Sequence, residues 1–193
     1  MTNSGFKLVI LDRDGVINED SDAFVKSVDE WIPIPGSIEA IAELSRAGFT
    51  VVVATNQSGL SRGLFDLDDL EAMHAKLAQL VEEHGGSMAA VFYCPHGPDD
   101  QCNCRKPKPG LIDAIEAEFD TSAEGVPLVG DSLRDLEAGL TKGCLPILVR
   151  TGKGALTEQK LKQFPVDGLV DVKVFDSLWD ALPFIKDVYG QAC

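Results

Sequence analysis

The feature that most constrains this chain is a repeated alternation of two patterns. Short apolar runs rich in β-branched residues, at Phe6–Leu11, Thr50–Ala54, Ala90–Tyr93, Pro127–Val129 and Leu145–Val149, are flanked by turn residues. They have the length and composition of buried parallel strands. Between and after them lie segments of helical period, at Ser37–Ala47, Asp66–Glu83, Gly110–Phe119, Leu133–Lys142 and Ser177–Tyr189. In the longest, Leu67, Leu70, Met73, Leu77, Leu80 and Val81 form an apolar stripe that Gly85-Gly86 ends, and the acidic Asp66–Glu71 stretch suits a helix start. Strand–helix alternation of this kind predicts right-handed crossovers. The result is an α/β, doubly wound, Rossmann-like and mainly parallel sheet with helices on both faces.

At 193 residues, 45% hydrophobic and 25% charged, the chain suits one α/β domain spanning 1–193 with a well-buried core. No window approaches the run of about 20 apolar residues that crosses a bilayer, and Met1–Lys7 lacks the pattern of a secretory leader. A cytoplasmic location is expected. The net charge of −14 argues against nucleic-acid and membrane partners. A phosphate-bearing substrate must therefore meet a local positive site. The irregular stretches are 18–36, 94–109 and 150–168, the first two being long enough to suggest function. In open α/β sheets, ligands bind at the carboxyl ends of the strands.

The first run leads into Asp12-Arg13-Asp14-Gly15. Carboxylates at i and i+2 leave an extended chain on one side, and their repulsion is relieved by a cation or a proton. A hard divalent ion such as magnesium suits the pair, although an isolated D-x-D also fits a solvated acidic turn. The second run ends in Thr55-Asn56-Gln57-Ser58-Gly59, either neutral donors for phosphoryl oxygens or a polar turn with a capping hydroxyl. Asp131, at the end of the fourth run, is either a third carboxylate for the metal or a helix N-cap. Arg105-Lys106-Pro107-Lys108-Pro109 is the densest positive run, kept extended by its prolines.

Cys94, His96, Cys102 and Cys104 offer four soft or borderline ligands as two i, i+2 pairs. That set suits a closed, structural zinc site in a loop at 94–104. Cys144 reads as a core residue and Cys193 carries no signal. His74 and His84 are expected to face solvent. Gly152-Lys153-Gly154 lacks the glycine and hydroxyl spacing of a Walker loop, though Lys153 can lie near the site.

Taken together and in this order, these segments resemble the haloacid dehalogenase superfamily of phosphatases over nearly the whole chain. The resemblance implies a nucleophile at Asp12 and a general acid/base at Asp14. It implies magnesium bound by Asp12, the backbone carbonyl of Asp14, and Asp131. Thr55 and Asn56 would bond the transferring phosphoryl group, and Lys106 would neutralise it. Asp12–Asn18, Thr55–Gly59, Cys94-Pro95-His96 and Cys102–Gly110 resemble more closely the heptose-bisphosphate and histidinol-phosphate phosphatases of that superfamily.

The closer resemblance implies substrate recognition by Arg105 and by the loop Asp20-Ser21-Asp22, with Gln57 and Ser58 nearby. Where an aromatic such as tyrosine is expected, this chain has Phe24. The expected reaction is loss of the C7 phosphate from a heptose 1,7-bisphosphate. Histidinol phosphate is the alternative substrate, and a polynucleotide 3′-phosphatase or a non-catalytic phosphate- or zinc-binding module is more distant. The length leaves no room for a large mobile cap domain, so loops 18–36 and 94–109 must shape the pocket. A monomer acting on a small phosphorylated sugar is expected.

Overall fold

A computed structural model describes residues 6–190. Met1–Gly5, on which the leader-free reading partly rests, and Cys193 lie outside that range. The strands are β1 (Lys7–Leu11), β2 (Phe49–Asn56), β3 (Ala90–Cys94), β4 (Pro127–Gly130), β5 (Leu145–Val149) and β6 (Lys173–Phe175). The helices are α1 (Ser37–Arg46), α2 (Leu67–Glu83), α3 (Gly110–Phe119), α4 (Leu133–Thr141), α5 (Gly154–Gln163) and α6 (Leu178–Val188).

All six strands are parallel, in the order β3-β2-β1-β4-β5-β6. Successive residues of β1 face opposite sides of the sheet. Val9 and Leu11 pack with α1, α2 and α6, while Leu8 and Ile10 pack with α3 and Ala138 of α4. Leu148 of β5 joins a third cluster with Leu136 of α4 and Leu161 of α5. Both faces are therefore covered, as buried parallel strands require. The order reverses at β1, which lies between β2 and β4, so a crevice opens at its carboxyl end.

Two elements depart from expectation. The stretch 150–168 contains α5, and β6 extends the sheet beyond the five expected strands. Helix α5 has a weak apolar stripe, with only Gly154 and Thr157 buried, and three-residue β6 is too short to show a period. In α2, Asp66 forms a capping box with Asp69, but Leu67 is largely exposed rather than part of the buried stripe.

The loop from β1 to α1 is tied down along its length. Ile34 N–H donates to Ile17 O (2.9 Å), Glu19 N–H donates to Ile32 O (2.9 Å), and Trp31 is wholly buried. Lys76 of α2 donates to Val28 O and Trp31 O, both at 2.8 Å. Among the described residues there is no cap domain, and no helix is long and apolar enough to cross a membrane.

Candidate active site

The ends of β1, β2 and β4 and the loop after β3 converge on one cavity of about 340 Å³. Asp12, Asp14, Asp20, Ser21, Asp22, Thr55, Asn56, Gln57, Ser58, Arg105, Lys106 and Asp131 all line it. Every residue expected to bind substrate or magnesium thus reaches the same space.

At its base is a buried charge cluster. Lys106, 3% exposed, donates through Nζ to Asp12 Oδ1 (2.8 Å), Asp135 Oδ1 (2.6 Å) and Ala54 O (2.6 Å). Burial alone would push its pKa down, but the Asp12 and Asp135 carboxylates outweigh it and hold the ammonium charged. Asn56 fixes the Lys106 backbone from both sides, accepting from its N–H (3.0 Å) and donating to its C=O (3.1 Å).

Asp12, Asp131 and Asp135 place carboxylate oxygens within 4.8 Å of one another. Burial, with Asp135 and Asp131 beside it, raises Asp12 well above the usual carboxylate range despite Lys106. Burial and Asp135 push Asp131 up to about 7, opposed by a hydrogen bond from Lys153 N–H (2.8 Å). Three carboxylates facing one lysine are undercompensated, and hard oxygen donors in this arrangement fit a divalent cation such as magnesium. Space around Asp131 is kept by two glycines. A Cβ on Gly15 (φ +84°) would sit 2.1 Å from Asp131 Oδ2, and one on Gly152 (φ +57°) 2.2 Å from the same atom.

Asp14 is held differently. Its carboxylate accepts from Arg13 Nη2 (3.0 and 3.2 Å), Asn18 Nδ2 (2.8 Å) and Gln57 Nε2 (2.8 Å). Gln57 Nε2 also donates to Thr55 Oγ1 (2.8 Å), which leaves the Thr55 hydroxyl hydrogen to donate elsewhere.

Near the mouth, Lys153 pairs with Asp20 (3.1 Å) and Asp22 (3.3 Å), and Arg62 stacks 5.7 Å over Phe24, whose φ is 65°. Arg62, Arg105 and Arg134 all line the cavity. Burial and then the charges of Arg134 and Arg62 lower the Arg105 pKa, so the three guanidinium groups form one positive patch.

The loop after β3 carries a second cluster. Cys94 Sγ lies 3.1 Å from Cys104 Sγ, 3.8 Å from Cys102 Sγ and 3.6 Å from His96 Nδ1. His96 Nδ1 is 3.2 Å from Cys104 Sγ, and the cysteines are unbridged. Burial pushes the Cys94 thiol up to about 12, with Cys104 and Cys102 adding to the shift. Four soft donors this close suit a metal, and tetrahedral sulfur ligation with bonds of about 2.3 Å needs edges of roughly 3.7 Å. Arg105 Nη1 donates to His96 O (3.1 Å), so the cluster also braces the positive patch.

Several participants are not apparent from the motifs. Asp135 reads as an ordinary capping-box residue of α4, which it also is, accepting from Ser132 N (3.0 Å) and Oγ (2.6 Å). Arg62 and Arg134 are isolated cations in sequence. Contrary to the expectation that it faces solvent, His74 is partly buried beside Tyr93, with Nε2 3.3 Å from Arg13 Nη1. His84 is exposed, as expected.

Burial and the Arg13 charge push His74 down to about 4 from an ordinary value of 6.5. The unfolded chain therefore binds the extra proton first, and stability should fall as pH drops from about 6.5 towards 4. His74→Gln should flatten that decline by on the order of 2–3 kcal/mol at its acid end. Urea melts of both proteins at pH 7 and pH 4.5 provide the measurement, and parallel declines would contradict the assignment.

Known phosphatases resemble this chain over most of its length. Residues 7–136 match the polynucleotide kinase 3 phosphatase family profile, and residues 103–181 match the HAD-hydrolase-like profile. A D-glycero-β-D-manno-heptose-1,7-bisphosphate 7-phosphatase of Pseudomonas putida is 60% identical over 80% of this chain and 88% of its own length. The enzyme of the same name from Neisseria meningitidis is 52% identical over 93% of this chain and 94% of its own. The crystal structure of a D,D-heptose 1,7-bisphosphate phosphatase from B. bronchiseptica, complexed with magnesium and phosphate, superposes with a TM-score of 0.88. It is 52% identical, covering 94% of this chain and 99% of that one.

Proposed function

The chain belongs to the haloacid dehalogenase-like hydrolases, in the family of the heptose-bisphosphate phosphatases, and from that premise we propose that it hydrolyses the C7 phosphate of D-glycero-β-D-manno-heptose 1,7-bisphosphate. The observation that carries this reading is Lys106 bonded to both Asp12 and Asp135 beside Asp131, in a cavity that also contains three arginines. One end of that cavity suits phosphoryl transfer, and the arginine patch suits a second phosphate.

Asp12 attacks phosphorus, forming an Oδ–P bond as the bond from phosphorus to the C7 oxygen breaks. Asp14 gives its proton to that oxygen. Asp14 then takes a proton from water, whose oxygen attacks the aspartyl phosphate and frees Asp12 and inorganic phosphate. Lys106 and the Thr55 hydroxyl stabilise negative charge on the phosphoryl oxygens. Magnesium would be held by Asp12, Asp131 and the Asp14 carbonyl. When bound, it neutralises carboxylate and phosphoryl charge. Asp135 aims Lys106, and the Asn56 amide fixes the lysine backbone.

Cys94, His96, Cys102 and Cys104 would hold zinc in a structural role. Bound there, it would fix the loop that carries Arg105, which is covalently next to Cys104 and bonded to His96 O. Misplacement by about 1 Å can cost on the order of a hundredfold. Cys102→Ser should abolish stoichiometric zinc and lower kcat/KM at least about tenfold, with far-UV circular dichroism unchanged. Full activity in the zinc-free variant would remove this role.

The polynucleotide phosphatase match covers residues 7–136, which include Asp12, Thr55, Lys106 and Asp131, but a net charge of −14 disfavours a nucleic-acid strand. The test is magnesium-dependent phosphate release from the heptose bisphosphate, histidinol phosphate and a 3′-phosphorylated oligonucleotide. The heptose bisphosphate should have the highest kcat/KM; a higher value for either competitor overturns the substrate assignment.

A further inference from the structure

Arg13 is completely buried, and among the described residues its one ion pair is with Asp14. Its guanidinium uses Nε and Nη2 on Asp14, Nη2 again on Gln57 Oε1 (3.2 Å), and Nη1 on His74 Nε2 (3.3 Å). Gln57 returns to Asp14 through Nε2 (2.8 Å), closing a ring of Arg13, Asp14 and Gln57 that His74 supports from α2. Guanidinium has no acceptor, so His74 Nε2 must accept, with the ring neutral and its proton on Nδ1.

Burial of one arginine for packing alone is unfavourable compared with an apolar side chain. Here the donors converge on the single carboxylate that must exchange a proton in both half-reactions. We propose that His74 is a positioning residue for proton transfer: by holding Arg13 Nη1 it fixes the guanidinium, and through it the rotamer from which Asp14 serves the C7 oxygen. This inference rests on the phosphatase reading above.

A general acid matters for a poor leaving group and little for a good one, which gives a readout that loss of packing would not produce. The test compares wild type, His74→Ala and His74→Gln in rapid-quench single turnovers of the heptose bisphosphate. In parallel, the para-nitrophenolate burst is measured from para-nitrophenyl phosphate, whose leaving group needs no proton. His74→Ala should slow sugar phosphoryl transfer about tenfold or more, with KM changed less than about twofold and the burst rate nearly unchanged. His74→Gln, whose amide oxygen can accept from Arg13, should recover most of the loss.

Equal slowing with both substrates, wild-type rates in His74→Ala, or no recovery in a folded His74→Gln would each overturn the positioning role. Failure of wild type to release phosphate from either substrate would instead remove the phosphatase reading itself.

Discussion

Asp12→Asn should lower turnover by about four orders of magnitude or more, the scale seen when a covalent nucleophile is removed from a site that otherwise remains assembled. Asp12 sits at the end of β1, its N–H bonded to Val129 O (2.9 Å), and its backbone does not depend on the side-chain charge. The amide can still accept from Lys106, and the substitution removes one of three crowded carboxylates. The variant should therefore fold, with a melting temperature equal to or above that of wild type without metal. Rapid-quench assays for a phosphorylated protein should find it in wild type and not in the variant. Retention of more than about 1% of kcat in cleanly purified protein contradicts the nucleophile assignment.

Lys106→Ala should be nearly as damaging to catalysis and worse for stability. Its ammonium lies between Asp12 and Asp135, and removal leaves carboxylates buried without their cation. Breaking a buried pair from one side typically costs about 3–5 kcal/mol, and loss of one charge-stabilising donor typically costs about 10²–10³ in kcat. Because a bound divalent cation offsets part of the same charge, millimolar magnesium should raise the melting temperature of Lys106→Ala more than that of wild type. It should not restore turnover. Thermal melts with and without magnesium, alongside kcat, make the check; a variant as stable and active as wild type would show that Lys106 has neither role.

What the sequence reveals about this fold depends on how local the cause is. Strands β1, β2, β4 and β5 announce themselves because burial on both faces demands unbroken apolar runs, and α2 is marked by its apolar stripe and by Asp66, whose capping-box partner Asp69 lies only three positions on. Helix α5 does not, since its exposed face dominates the composition, and β6 is only three residues. The same distinction holds in the site. Asp12, Thr55 and Asp131 occur in recognisable motifs at strand ends, and Lys106 in the dense positive run before α3. Asp135 contributes through a lysine 29 positions earlier, and nothing at Asp135 itself records that pairing.

His74 shows the limit most clearly. It lies at i+4 from Leu70 and i−3 from Leu77, on the apolar side of α2, and it is the polarity of histidine rather than its spacing that suggests solvent. Its burial follows from Arg13, whose guanidinium folds back under Asp14 and meets α2 from the other side. Arg13 itself reads in sequence as a charge between two aspartates, and only the packed sheet and helix show that it is enclosed.

The most direct test of the proposed reaction is phosphorus NMR of the heptose 1,7-bisphosphate during turnover with magnesium. The C7 phosphomonoester resonance should disappear as inorganic phosphate grows in step, while the anomeric C1 phosphate remains. Loss of the C1 resonance, or a bisphosphate spectrum unchanged by enzyme that is folded and metal-loaded, would contradict the assignment.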